Sequence, residues 1–93
     1  MTVEFPDQPD PAYDGQRHAL IFPARVDGQP VSCLVTEECL VKYCGGRFPY
    51  TATEARRAYE QNRDDIRRLA EAVIRRFGAN KDGVVCVNSA TVT

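Results

Sequence analysis

The chain predicts an α+β domain of order β-β-α-α-β, with a small antiparallel sheet (a hairpin plus a C-terminal strand) packed on one long amphipathic helix. Three observations carry that prediction. Two apolar runs, His18 to Val26 and Pro30 to Thr36, flank Asp27-Gly28. A capped helical pattern runs from Ala52 to Phe77. A short β-branched run, Val84-Val85-Cys86-Val87, closes the chain.

The hairpin follows from its turn. Asp-Gly between apolar runs suits a type I′ turn, which needs positive φ at both central residues. A two-residue loop pairs Val26 with Gln29, Ala24 with Val31, Phe22 with Cys33 and Leu20 with Val35. Side chains alternate across a strand, so Leu20, Phe22, Ala24, Val31, Cys33 and Val35 share one apolar face. The opposite face, with Ile21, Leu34, Arg25, Ser32 and Pro30, is only partly apolar and open to cover by the N-terminal segment or a second subunit. Val3-Glu4-Phe5 reads as a short edge strand. Pro6 to Gly15 holds three prolines and three aspartates and reads as irregular, and residues 1–15 form an acidic lead-in.

Thr36 is placed to cap a short helix whose first turn holds Glu37 and Glu38, near the positive end of the helix dipole. Val35 and Leu40 occupy the staple positions, and Gly45-Gly46 stop the helix near Cys44. The long helix opens with a capping box, Thr51 and Glu54, and ends at Gly78. At 100° per residue Ala55, Tyr59, Ile66, Leu69, Ala70, Val73 and Phe77 form one stripe, with Asn62 inside it. Such a helix is about 39 Å long, against roughly 30 Å for a compact chain of this size. It must overhang the domain, bend, or be covered by a partner, and its weaker first half is the part expected to overhang.

Ninety-three residues make one domain, 1–93, with a shallow core. The net charge of −1 disfavours bulk attraction to nucleic acid or anionic membranes. The N-terminus lacks a basic region followed by an apolar one, and no apolar run approaches about 20 residues. The expected location is the cytoplasm, with four reduced cysteines.

Few residues suggest chemistry. The spacing of Cys33, Cys39, Cys44 and Cys86 does not match paired zinc ligands, so no metal or cofactor is expected. Cys33 and Cys86 read as core thiols, whereas Cys39 and Cys44 are open. His18, the sole histidine, lies on the strand beside Cys33, but with no orienting Asn or Asp evident it reads as an edge or solvent-facing residue. Asn62 either satisfies nearby backbone or makes a polar contact in a pocket or interface, the first being favoured. The long helix carries seven arginines against five acids. Arg56, Arg63 and Arg67 form a basic ridge able to meet phosphates, although Glu60, Asp64 and Glu71 stand at pairing distance along the helix.

Taken together, Tyr13-Asp14, Ile21-Phe22-Pro23-Ala24, Val26-Asp27-Gly28, Val31-Ser32-Cys33, Thr36-Glu37-Glu38-Cys39-Leu40 and Tyr59-Glu60-Gln61-Asn62-Arg63 resemble a family of small bacterial proteins, domain of unknown function 1488. The resemblance covers nearly the whole chain. It implies a small cytoplasmic α+β domain, supplies no activity, and directs tests to Cys33, Asn62 and Arg63. With no catalytic constellation, the expectation is a non-enzymatic module that contacts a protein partner or a second copy of itself. The alternative is a nucleic-acid-binding module using the Arg56, Arg63 and Arg67 ridge. A thiol enzyme centred on Cys33 or Cys39 ranks third.

Overall fold

The computed structural model describes residues 1–7, 11–44 and 51–88. In chain order the elements are β1 (Val3–Glu4), β2 (Ala12–Asp14), β3 (Ala19–Val26), β4 (Gln29–Thr36), α1 (Glu37–Cys44), α2 (Ala52–Gln61), α3 (Arg63–Phe77) and β5 (Val84–Val87). The hairpin forms in the predicted register, with Phe22 opposite Cys33 and Leu20 opposite Val35. Its turn has φ of 52° at Asp27 and 83° at Gly28, as the Asp-Gly pair requires.

One face of the sheet meets the helices. Leu20, Phe22, Cys33, Val35, Val85 and Val87 are buried there against Tyr59, Ile66, Ala70, Val73 and Ile74. This is a two-layer α+β arrangement. Every second strand residue faces the helix layer because the pleat alternates.

Four expectations need correction. The C-terminal strand joins β4 in parallel, so the sheet is mixed rather than antiparallel throughout. Between β4 and β5 the chain crosses the sheet through the helix layer, and a crossover of that kind returns the strand in the same direction. Second, the lead-in is not wholly irregular: Ala12–Asp14 pairs with β3, because main-chain hydrogen bonding along an open edge outweighs the weak strand propensity of a proline- and aspartate-rich segment.

Third, the long helix is broken at Asn62, where φ is −126°. The Asn62 N–H is shared between the carbonyls of Ala58 and Tyr59 at 3.1 and 3.2 Å. Its side-chain amide donates to the Ala58 carbonyl at 3.0 Å, competing with the helical ladder. A straight helix of about 39 Å would exceed the longest molecular dimension, 35 Å. Of overhang, bend and cover, the bend is realised, and the first half does not overhang: Ala55 and Tyr59 are buried.

Fourth, Phe77 is 57% exposed although the stripe reading would bury it, while Ile74 is fully buried. Phe77 shares the azimuth of Ile66, Ala70 and Val73 but is the last residue of α3, and the buried side of the helix takes in Ile74 instead. Three caps are as read, while the Gly45-Gly46 stop lies outside the described residues. Thr51 and Glu54 form both bonds of the capping box, the Thr36 hydroxyl accepts from the Cys39 N–H at 3.3 Å, and the Gly78 N–H donates to Ile74 at 2.8 Å.

Candidate functional site

Asn62 and Arg63 sit together at the break between α2 and α3. There a polar depression of about 320 Å³ is lined by Asn62, Arg63 and Arg68 with Glu60, Asp64 and Asp65. Charges of both signs line it, so it favours no one ionic ligand. Asn62 is half-buried and bonds its own helix, the structural alternative of the two readings.

The arginine ridge is divided. Arg56 lies exposed on α2. Arg63 and Arg67 on α3 turn to Asp7, at 3.9 and 3.3 Å. Arg67 also donates to the Tyr59 hydroxyl at 3.4 Å and stacks over Phe5 at 5.7 Å. These contacts strap residues 5–7 onto α3. Asp7 is 77% exposed, so the ion pairs themselves add little and the Arg67 guanidinium over the Phe5 ring carries more of the attachment.

Cys33 joins neither group. It lies fully buried on the inner face of β4, and burial pushes its thiol up to about 12. Cys39 is buried as well, and both are thiols. Cys86 corrects the core reading: it is exposed on the outer face, opposite Leu34, since its neighbours Val85 and Val87 take the inward positions of β5. The side chain of Cys44 lies outside the described residues. Among the described residues no group of three or more His, Cys, Asp or Glu is placed to hold a metal ion.

A cluster that the sequence reading missed joins β2, the turn after it and the start of α1. Glu37, the first residue of α1, is the one charged side chain in the buried set of described residues, at 0% exposure. Its backbone N–H donates to the His18 carbonyl at 2.9 Å. One carboxylate oxygen, Oε1, accepts the Tyr13 hydroxyl. The other, Oε2, has no hydrogen-bond partner among the described residues and lies 3.7 Å from His18 Nδ1.

Leaving a buried acceptor unmet costs about 1–3 kcal/mol, so this oxygen strongly favours any donor that can approach. The N-terminus of α1 favours the negative charge. The carboxylate holds the Tyr13 proton: that hydrogen bond, then burial, then the Glu37 charge push the phenol above its ordinary 10.0. His18 has φ of 48°, uncommon for a residue with a Cβ.

Sequence distance hid the cluster. Glu37 stands 24 positions from Tyr13, and local reading explains it fully as a first-turn acid. One signal was present: Tyr13 and Glu37 both fall in the segments that carry the family resemblance.

A third feature lies at the far end of α3. Val73, Phe77, Ala79, Val84 and Cys86 line an open groove of about 270 Å³. Asn80 closes the adjacent margin of β5, donating from its N–H to the Val84 carbonyl at 2.9 Å and accepting the Val84 N–H at 3.0 Å. Those bonds shield an edge that would otherwise pair with another strand.

The model of a family described as protein of unknown function (DUF1488) matches residues 3–87. Among solved structures, the chain is similar to a crystal structure of a protein of unknown function from that family, from Shewanella loihica PV-4. The two are 25% identical, with a TM-score of 0.76 and 94% of each chain covered. No curated protein matches.

Proposed function

Because the chain belongs to the family of proteins of unknown function DUF1488, no activity comes to it from its relatives, and we propose that it is a non-enzymatic cytoplasmic interaction module whose contact surface is the groove between α3 and β5. Phe77 carries this reading. Single exposed apolar side chains are ordinary on protein surfaces. This ring, however, is 57% exposed and forms a wall of an apolar groove rather than standing alone.

Covering it would contribute about 1 kcal/mol from the ring alone, with the groove walls adding to that. The rim supports one class of occupant. Arg76 lies over the Phe77 ring at 5.1 Å, and Lys81 is exposed in the turn beyond, against Asp82 of opposite sign. Two cations against one acid leave this margin net positive, which favours a protein segment whose apolar residue is flanked by acids.

The test is capture from a cell extract with wild-type and Phe77→Ser baits. The expected result is a partner retained by the wild type and lost by the variant, whose stability stays within about 0.5 kcal/mol. The same proteins on both baits, or none on either, would reject the groove. A dimer in solution that Phe77→Ser dissolves would replace the partner with a second copy.

The alternative, nucleic-acid contact through Arg56, Arg63 and Arg67, has weaker support, because Asp7 engages two of those three arginines. It requires binding that falls steeply with salt. Absence of binding at low salt would end it.

A further inference from the structure

We infer that the edge of β3 beside the hairpin turn, with the adjoining side of α3, is an acceptor site for a short strand, and that it takes residues 1–7 of a second copy of this chain in place of its own. This is independent of the groove reading and rests on other residues.

The occupant in place shows what the site accepts. The Thr2 carbonyl accepts the Asp27 N–H, and Asp27 Oδ1 accepts the Thr2 N–H, both at 2.8 Å. Val3 and Glu4 then pair with Val26 and Arg25. Pro23 stops the pairing there. It stands opposite Ser32, whose N–H turns the other way, to the Gly83 carbonyl at 2.9 Å. Such a pair exchanges no bonds, so the Pro23 nitrogen faces the outer edge, where it has no proton to donate. A strand laid on this edge runs for a few residues and must then leave. Here it leaves onto α3. Phe5 lies 6.2 Å from the Phe22 ring and under the Arg67 guanidinium at 5.7 Å, and Asp7 reaches Arg67 and Arg63. The Arg75 guanidinium donates to the Met1 carbonyl at 3.3 Å.

These contacts call for main chain, one aromatic ring and one acid two residues beyond it. None of them requires the occupant to belong to the same chain. The segment is held at the rim: none of residues 1–7 is in the buried set of described residues, and Val3 and Phe5 pack against the core only in part. Its departure bares a strand edge, a template for another chain, beside two arginines that have lost Asp7. A second copy supplies the same ladder, ring and acid to the same cations. Four residues, Gln8-Pro9-Asp10-Pro11, join the segment to β2, and short connections invite exchange between copies. Exchange in both directions closes a two-fold dimer without any new interface.

The test refolds the full chain from urea at millimolar concentration and separates the products by size-exclusion chromatography. A dimer that reverts slowly on dilution is expected. In a dimer of ¹³C-labelled and unlabelled copies, isotope-filtered NOEs should connect the Phe5 ring of one copy with the Phe22 ring of the other. A chain that returns only as monomer, or a dimer without that contact between copies, overturns the inference. The double variant Val3→Cys/Val26→Cys supplies a lock. Oxidised as a dilute monomer it should close within one chain and then refold only as monomer, whereas oxidised as the dimer it should join two chains through positions 3 and 26. Undiminished dimer from the locked monomer also overturns the inference. Phe77→Ser should leave the dimer fraction unchanged, and a dimer that this variant dissolves belongs to the groove and counts against strand exchange.

Discussion

Replacing Cys33 separates two costs that a buried thiol conceals. The side chain is fully buried in the row Phe22–Cys33–Val85, where the facing side chains on both neighbouring strands are apolar. Cys33→Ala removes one sulfur and leaves a small void, at a cost of about 1 kcal/mol. Cys33→Ser keeps nearly the same shape but adds a hydroxyl whose apolar neighbours offer no acceptor, at a cost of about 2 kcal/mol. For a domain of this size 1 kcal/mol shifts Tm by roughly 4–8 °C. Serine should therefore melt about 8–16 °C below wild type, and alanine about half as far below. Urea unfolding with unchanged slope measures the same difference. A serine variant equal to or more stable than alanine would refute the reasoning, since it would mean that shape rather than polarity decides the site.

The same thiol gives an alkaline signature with a definite sign. Burial raises Cys33 from 9.0 to about 12, so its contribution is complete below pH 9 and is lost as pH rises between those values. The loss amounts to roughly 1.4 kcal/mol per pH unit within that window. Cys33→Ala should lack this component, and a wild type and variant with parallel profiles there would contradict it.

Two further outcomes bear on the turn and the buried carboxylate. Gly28→Ala should destabilise by about 1 kcal/mol through backbone strain alone. The φ at that position is 83° and an added Cβ meets nothing within 4 Å; a denaturation midpoint equal to wild type would contradict this. Tyr13→Phe should lower Tm by removing the one donor seen on the buried Glu37 oxygens. That effect should vanish when Glu37 is already methionine, and an equal loss in both backgrounds would break the coupling between the two side chains.

Much of the fold was legible because its determinants are local. The Asp27-Gly28 turn set the hairpin register, since a two-residue loop leaves one pairing that keeps Leu20, Phe22 and Cys33 together. The Thr51–Glu54 box lies within one helical turn, and its two bonds needed nothing beyond the residues that make them. What was misread depended on distant partners. Nothing near Ala12–Asp14 marks it as a strand until the free edge of β3 stands beside it. Periodicity puts Phe77 in line with Ile66 and Val73 but does not show where the core ends, and the break at Asn62 likewise reflects how much helix a small core can accommodate.

The sequence by itself determined the hairpin and its inner face, the C-terminal strand, the caps at Thr36, Thr51 and Gly78, and the membership of most of the core, because propensity, alternation and capping act over spans of a few residues. Only the tertiary structure decided the parallel return of β5, the break at Asn62, the attachment of Arg63 and Arg67 to Asp7, and the meeting of Tyr13, His18 and Glu37. Each of these depends on which surfaces remain to be covered once the sheet and helices have packed. For Glu37 the difference is sharpest: its first-turn position is a local property, whereas its burial and the ring at its second oxygen are properties of the assembled chain.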